Sequence, residues 1–236
     1  MDADTLTARW ASIESAVEEH AMFPPGALRV SWGAIATGRV EKVHRAAGVT
    51  GVGLLGCSQA EAWLAVTDDD PVDRVKGLTQ FPLRGAWSSE KWLYQLLDLP
   101  WPIADRHWVL HTSSNAALAR ASGAWERSWS LAPEWLAQAR SPAGAERWDA
   151  AVVTPTNEGS WLLVAVDSAN TLALYQARVD LGGAVPADAA EAYAAATLAD
   201  LYRTTTHDGQ SMRTRYRAGC TPQPAPDGTP IPCFPG

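Results

Sequence analysis

The segment that most restricts what this chain can fold into begins at Pro186 and runs to about Arg203. It is rich in alanine, and its larger residues are Tyr193, Leu198, Leu201 and Tyr202. Proline suits a first helical turn because its φ is already helical and its absent N–H would be unpaired there. Alanine favours the helix most of all residues. A long helix with such small side chains packs closely against something, and what precedes it is strand after strand. From Leu78 to Leu131, tryptophans and β-formers are separated by Gly85, Ser88-Ser89, Pro100 to Pro102 and Ser113 to Asn115, the punctuation of sheet strands. Ala150 to Thr154 and Ser160 to Val166 read as two more strands joined by a turn at Thr156 to Gly159, and Thr171 to Leu181 as a last one.

The N-terminal part is mixed. Leu6, Trp10, Ile13 and Val17 recur at the spacing of one helical face, which predicts a helix over 5–19. Phe23-Pro24-Pro25-Gly26 ends it, and Leu28 to Trp32, Gly38 to Ala46 and Gly48 to Cys57 read as short strands. Ser58 and Glu61 have capping-box spacing for a helix ending near Thr67. Asp68-Asp69-Asp70-Pro71 lacks the alternating ligands and glycine of a calcium loop and reads as a solvated turn. Glu134 to Arg140 reads as a short inserted helix. The expected class is therefore α+β, a run of antiparallel strands and a long terminal helix, with the helices on one face of the sheet.

Charge narrows the partners. With 19 Lys and Arg against 26 Asp and Glu, the net charge is −7 and no basic block follows a phosphate backbone, so nucleic acid is not expected. No stretch has the roughly 18 apolar residues of a membrane span. Residues 1–20 lack the basic start and apolar core of a secretory signal, which reads as cytoplasmic. The chain divides into a domain over 1–206 and a tail over 207–236 carrying six prolines from Pro222 to Pro235. Cys57 lies in an apolar run and reads as a core residue. Cys220 and Cys233 bracket the tail as a candidate disulfide, which would instead fit an oxidising compartment and an N-terminus trimmed on export.

Two motifs carry a resemblance. Leu99-Pro100-Trp101-Pro102-Ile103-Ala104-Asp105-Arg106-His107-Trp108-Val109 resembles the signature of the START (StAR-related lipid-transfer) family, a proline followed by an Arg-Asp strand start. Asp180-Leu181-Gly182-Gly183-Ala184-Val185-Pro186 resembles the turn into that family's C-terminal helix. The resemblance spans roughly 5–205 and implies a helix-grip fold, shared with polyketide cyclases and aromatases, that encloses a ligand tunnel between sheet and helix (helix 186–203 here). Gly182 or Gly183 can take the positive φ the reversal needs. Arg106 reads as an anchoring ion pair with Asp105.

By the two-residue period of strands, the lining implied is Leu93, Gln95 and Leu97; Trp108, Leu110 and Thr112; and Tyr175, Ala177 and Val179, with Thr197 and Leu201 facing them from the helix. Each stripe is equally the pattern of ordinary core. There are departures: His107 stands where the family has Asp, and the places of its buried Arg–acid pair hold Thr112 and Leu93. This implies a mostly apolar pocket selecting by shape. Trp63, Trp101, Trp108, Trp125, Trp129 and Trp161 can form broad walls, while Trp87, Trp92 and Trp101, near turns, are candidates for transient membrane-surface contact.

The expected partner is thus a hydrophobic small molecule or lipid, held and carried or sensed rather than transformed. The alternative is a cyclase-like enzyme, for which Tyr175, Arg127 and His111 are the polar groups to suspect. A third reading makes the tail a lid or a recruiter of another protein. No cofactor is expected. His107 and His111 share a strand face without a third ligand at metal spacing and read as a polar outward face, and no G-x-S-x-G elbow occurs.

Overall fold

A computed structural model describes the chain except residues 27, 45–47, 69–76, 86–89, 144, 184 and 236; at 44, 145, 187–191, 193 and 194 only the backbone is described. Three helices open the chain, α1 (Ala3–Ala11), α2 (Glu14–His20) and α3 (Trp32–Ala36). The expected single helix is thus broken at Ser12 and Ile13, and the expected strand Leu28 to Trp32 is absent because Ser31 caps α3, accepting from Ala34 N at 3.3 Å. Strands β1 (Glu41–His44) and β2 (Val49–Leu55) precede α4 (Gln59–Thr67), where Ser58 and Glu61 form the expected capping box.

Next come β3 (Leu78–Arg84), β4 (Glu90–Leu97), β5 (Arg106–Ser114), an unexpected α5 (Ala116–Ser122) and β6 (Trp125–Leu131). A 3-10 turn (Pro133–Ala139) leads to α6 (Arg140–Ala143), α7 (Ala145–Ala150) and the two-residue β7 (Val152–Val153). Then β8 (Thr156–Ala165) and β9 (Thr171–Asp180) lead into α8 (Ala187–Arg215). The expected turn at Thr156 to Gly159 is instead the start of β8, because β9 supplies partners along its whole length, from Thr156 opposite Asp180 onward. The sheet runs β1-β2-β9-β8-β6-β5-β4-β3 with antiparallel neighbours, and β7 adds in parallel to β5.

The tail differs most from expectation. The long helix continues past Arg203 to Arg215, and residues 216–235 fold back as a clasp with a small β10 (Gln223–Pro224) and β11 (Pro230–Ile231) pair. Cys220 and Cys233 are joined across it, their Cα atoms 5.9 Å apart. Ala225, Ile231 and Phe234 pack into the same apolar cluster as Trp63 of α4 and Met212 of α8, and Trp63 Nε1 donates to Pro224 O at 3.1 Å. No helix among the described residues is long and apolar enough to cross a membrane.

Three apolar layers result. On one side of the sheet, α4 and α8 cover Val49, Trp161, Leu163, Ala173 and Ala177. On the other, α1 and α3 cover Val52, Leu162, Val164, Leu172 and Leu174. Beside them, the 133–151 segment covers Tyr94, Leu96 and Val109. This alternation along β8 and β9 is the period-two pattern of a strand buried on both faces.

Candidate functional site

Cross-strand partners share a face, so register assigns the helix side of the sheet. On β9, Tyr175, Ala177 and Val179 lie in the apolar layer under α8. Trp129 of β6 belongs to the same layer and pairs with Thr112. On β5 and β4, Thr112 stands opposite Lys91, Leu110 opposite Leu93, Trp108 opposite Gln95, and Arg106 opposite Leu97. Every sheet residue of the expected lining thus lies on the helix side. Leu201 packs against that layer, and Thr197 lies one turn before it, half-buried. Leu198 and Tyr202, absent from the expected lining, also reach the sheet, over Gly51.

Tyr202 pins the helix. Its hydroxyl is shared between the carbonyls of Gly51 (2.8 Å) and Ala173 (2.9 Å) and accepts from Tyr175 N at 3.2 Å. Glycine gives it a close fit, since a Cβ on Gly51 would lie 3.0 Å from Leu198 and 3.3 Å from the tyrosine ring. Around it runs an aromatic row: Trp161 lies 5.5 Å from Tyr202 and 4.8 Å from Tyr175, and Trp129 stacks on Tyr175 at 5.7 Å. Burial pushes the Tyr175 hydroxyl up to about 12, so it keeps its proton at neutral pH.

Polar groups are more numerous on this face than a shape-only pocket requires. Trp108 Nε1 donates to Gln95 Oε1 at 2.7 Å, and Gln95 Nε2 donates onward to Gln80. Trp129 Nε1 donates to Asn157 at 3.0 Å. Thr112 accepts from Arg127 Nη2 at 2.8 Å, and the buried Lys91 donates to Thr67 O. The expectation of a mostly apolar face is corrected here: the buried cations exist, on β4 and β6 rather than at the places held by Leu93 and Thr112.

Both ends of α8 are fastened. At its start, Gly182 and Gly183 each have φ of 65°, and Arg106 does not pair with the Asp105 carboxylate as expected. Its guanidinium donates to the carbonyls of Leu181 and Gly182 across the turn and of Ala104 on its own loop, while Asp105 accepts from Leu99 N. At its far end, Arg213 pairs with the buried Glu61, and Arg215 with Asp68 at 2.9 Å. Asp68, expected in a solvated turn, is buried and also accepts from Tyr216; Asp69 and Asp70 lie outside the described residues. Burial would raise the Glu61 carboxyl, but Arg213 and Ser58 outweigh it and hold it below 4.5.

The opposite face corrects the histidine reading at His107 and not at His111. His107 is buried and meets Trp148 of the 133–151 segment edge-on at 5.2 Å, whereas His111 stacks on Trp92 at 4.6 Å and keeps 32% of its side chain exposed beside Glu90. Burial lowers the His107 pKa below 6.5. Since His111 is across the sheet from Tyr175 and Arg127, these groups cannot form one catalytic centre. Cys57 is a buried free thiol that burial pushes up to about 12. Of the tryptophans near turns, Trp92 is stacked inside, Trp87 lies outside the described residues, and Trp101 is 93% exposed.

No family model matches the chain, and no curated protein matches it in sequence. Solved structures do share its fold. A STAR-related lipid transfer protein fragment from Xanthomonas axonopodis aligns with TM-score 0.52 and 19% identity over 73% of this chain and 97% of that one. Human STARD10 gives 0.55 and 11% over 74% and 76%. Human StAR-related lipid transfer protein 5 gives 0.54 and 10% over 89% and 99%. The likeness is one of architecture: this chain has the START-type helix-grip fold, an antiparallel sheet gripping a C-terminal helix.

Proposed function

We propose that the protein binds one hydrophobic ligand, a lipid or lipid-like molecule, between the sheet and α8, and carries or senses it without transforming it. The observation that carries this reading is incomplete packing under the helix. Trp129, Tyr175, Val179 and Leu201 keep partial exposure although they pack in the layer under α8. Close-packed interiors leave few such gaps. An apolar occupant would gain roughly 25 cal/mol for each Å² removed from water, while Gln95, Thr112 and Arg127 offer polar groups that fix its orientation. The lipid-transfer names of the proteins that share the fold favour the same reading by analogy.

Ligand exchange takes place at a lipid surface, touched by Trp101 and Ile103 of the β4–β5 loop and by Val152 and Val153. All four are exposed, and Val152 and Val153 pair with Arg106 and His107, where the loop ends. The loop is joined through Arg106 to the start of α8. Incubation with a mixed lipid extract, followed by native mass spectrometry, tests the reading: one bound lipid per chain is expected, and a chain that stays empty overturns it.

A further inference from the structure

A row of polar side chains crosses the sheet on the face away from α8. Thr50, Gln176, Ser160 and Ser128 are successive cross-strand neighbours on β2, β9, β8 and β6, and all are buried. Two are satisfied by the chain that follows α2: Ser128 donates to Met22 Sδ at 3.0 Å and Gln176 Nε2 to Phe23 O at 2.6 Å. The other two are not. Among the described residues Ser160 Oγ is buried without a hydrogen-bond partner, while the Thr50 hydroxyl, likewise without one, opens onto a cleft. Of this row, the Thr50 hydroxyl is therefore the group that an occupant of the cleft can pair with.

There is room for one. Where Met22 to Pro24 pass over this row, a cleft of about 250 Å³ opens, with Thr50 and Gln176 on its floor and Phe23 and Pro24 on its walls. That volume falls below the roughly 300–1,000 Å³ of sites for drug-sized ligands, so the occupant is small. Its mouth holds both charges, Glu158 and Arg178, paired at 2.8 Å.

We propose that this cleft binds a small zwitterion of amino-acid size. The ammonium is taken by the Glu158 carboxylate and the carboxylate by the Arg178 guanidinium and the Thr50 hydroxyl. A short aliphatic side chain lies against Phe23 and Pro24. The site is across the sheet from the proposed lipid site and does not depend on it.

Two-dimensional NMR of the isotope-labelled full chain tests the proposal, with L-leucine, isocaproate (no ammonium) and isoamylamine (no carboxylate) as probes. Saturable shifts at amides 22–23, 49–50, 158–160 and 176–178 are expected with leucine, and binding weaker by roughly tenfold or more with either single-charge analogue. Thr50→Val should weaken leucine by roughly tenfold at an unchanged unfolding midpoint. If that variant does not fold, Arg178→Gln, at a side chain 54% exposed, serves for the same comparison. Equal binding of all three probes, no saturable shift with any, or a folded variant that keeps its leucine affinity would overturn it.

Discussion

Arg106 holds Gly182. From the first residue of β5 its guanidinium reaches the turn that starts α8, Nη2 donating to Gly182 O at 3.0 Å and Nε to Leu181 O at 2.6 Å. The two segments that carry the family resemblance are therefore one physical object, a strand start tied to a helix start. The planar fork presents five donors in a fixed geometry, whereas an ammonium presents three on one nitrogen. Arg106→Lys is expected to lower stability by about 2 kcal/mol and to speed hydrogen exchange in the first turns of α8. Unchanged exchange there would mean that the turn holds itself.

The clasp after α8 closes through Cys220 and Cys233, 13 residues apart. Loops of that length lose unfolded-state entropy worth about 3 kcal/mol when bridged. The double substitution Cys220→Ser with Cys233→Ser should lower unfolding free energy by about 2–3 kcal/mol in denaturant titrations, and an unaffected midpoint would show the bridge to be ornamental.

Acid should act in two stages. The folded pKa of His107 lies below 6.5 because burial disfavours its charge, so its contribution is complete above 6.5 and is lost as pH falls through the folded value. Glu61 lies below 4.5, so its contribution is complete above 4.5 and disappears at lower pH still. His107→Gln should flatten the first limb of a stability-against-pH curve and Glu61→Gln the second; glutamine also serves the capping box. A variant curve parallel to that of the wild type would refute the assignment of that limb.

Trp101 is 93% exposed, so its removal should leave the fold intact. Trp101→Ser is expected to weaken sedimentation with phospholipid vesicles by roughly tenfold, the scale of one buried aromatic side chain. Equal sedimentation of the two proteins would remove this loop from the proposed surface.

Val179 lies partly exposed under the helix. An indole there fills space the ligand would use, so Val179→Trp should reduce lipid retained in native mass spectra while circular dichroism is unchanged. Full retention would place the ligand elsewhere.

Much of this was legible beforehand. Period-two stripes on β4, β5 and β9 do share a face, because strand geometry is local. The capping box of Ser58 and Glu61 was readable for the same reason. What failed depended on distant partners. Thr204 to Gly209 has low helix propensity, yet α8 runs through it because Glu61, Asp68 and the clasp hold the helix beyond. Asn157 to Gly159 has the chemistry of a turn and is drawn into β8 by pairing with β9. His107 reads as outward-facing because no local pattern announces that Trp148 of the 133–151 segment returns to cover it.

Tyr202 sits near the middle of α8, whose 29 residues run from Ala187 to Arg215. Beyond this fulcrum the helix is bolted to α4, so it cannot rock as a rigid lever. Ahead of it, between the Arg106 tie and Leu198, the sequence is rich in alanine, a side chain with little area to bury. For the proposed ligand, entry beneath the helix therefore spares the half beyond Tyr202, which Glu61, Asp68 and the clasp hold in place.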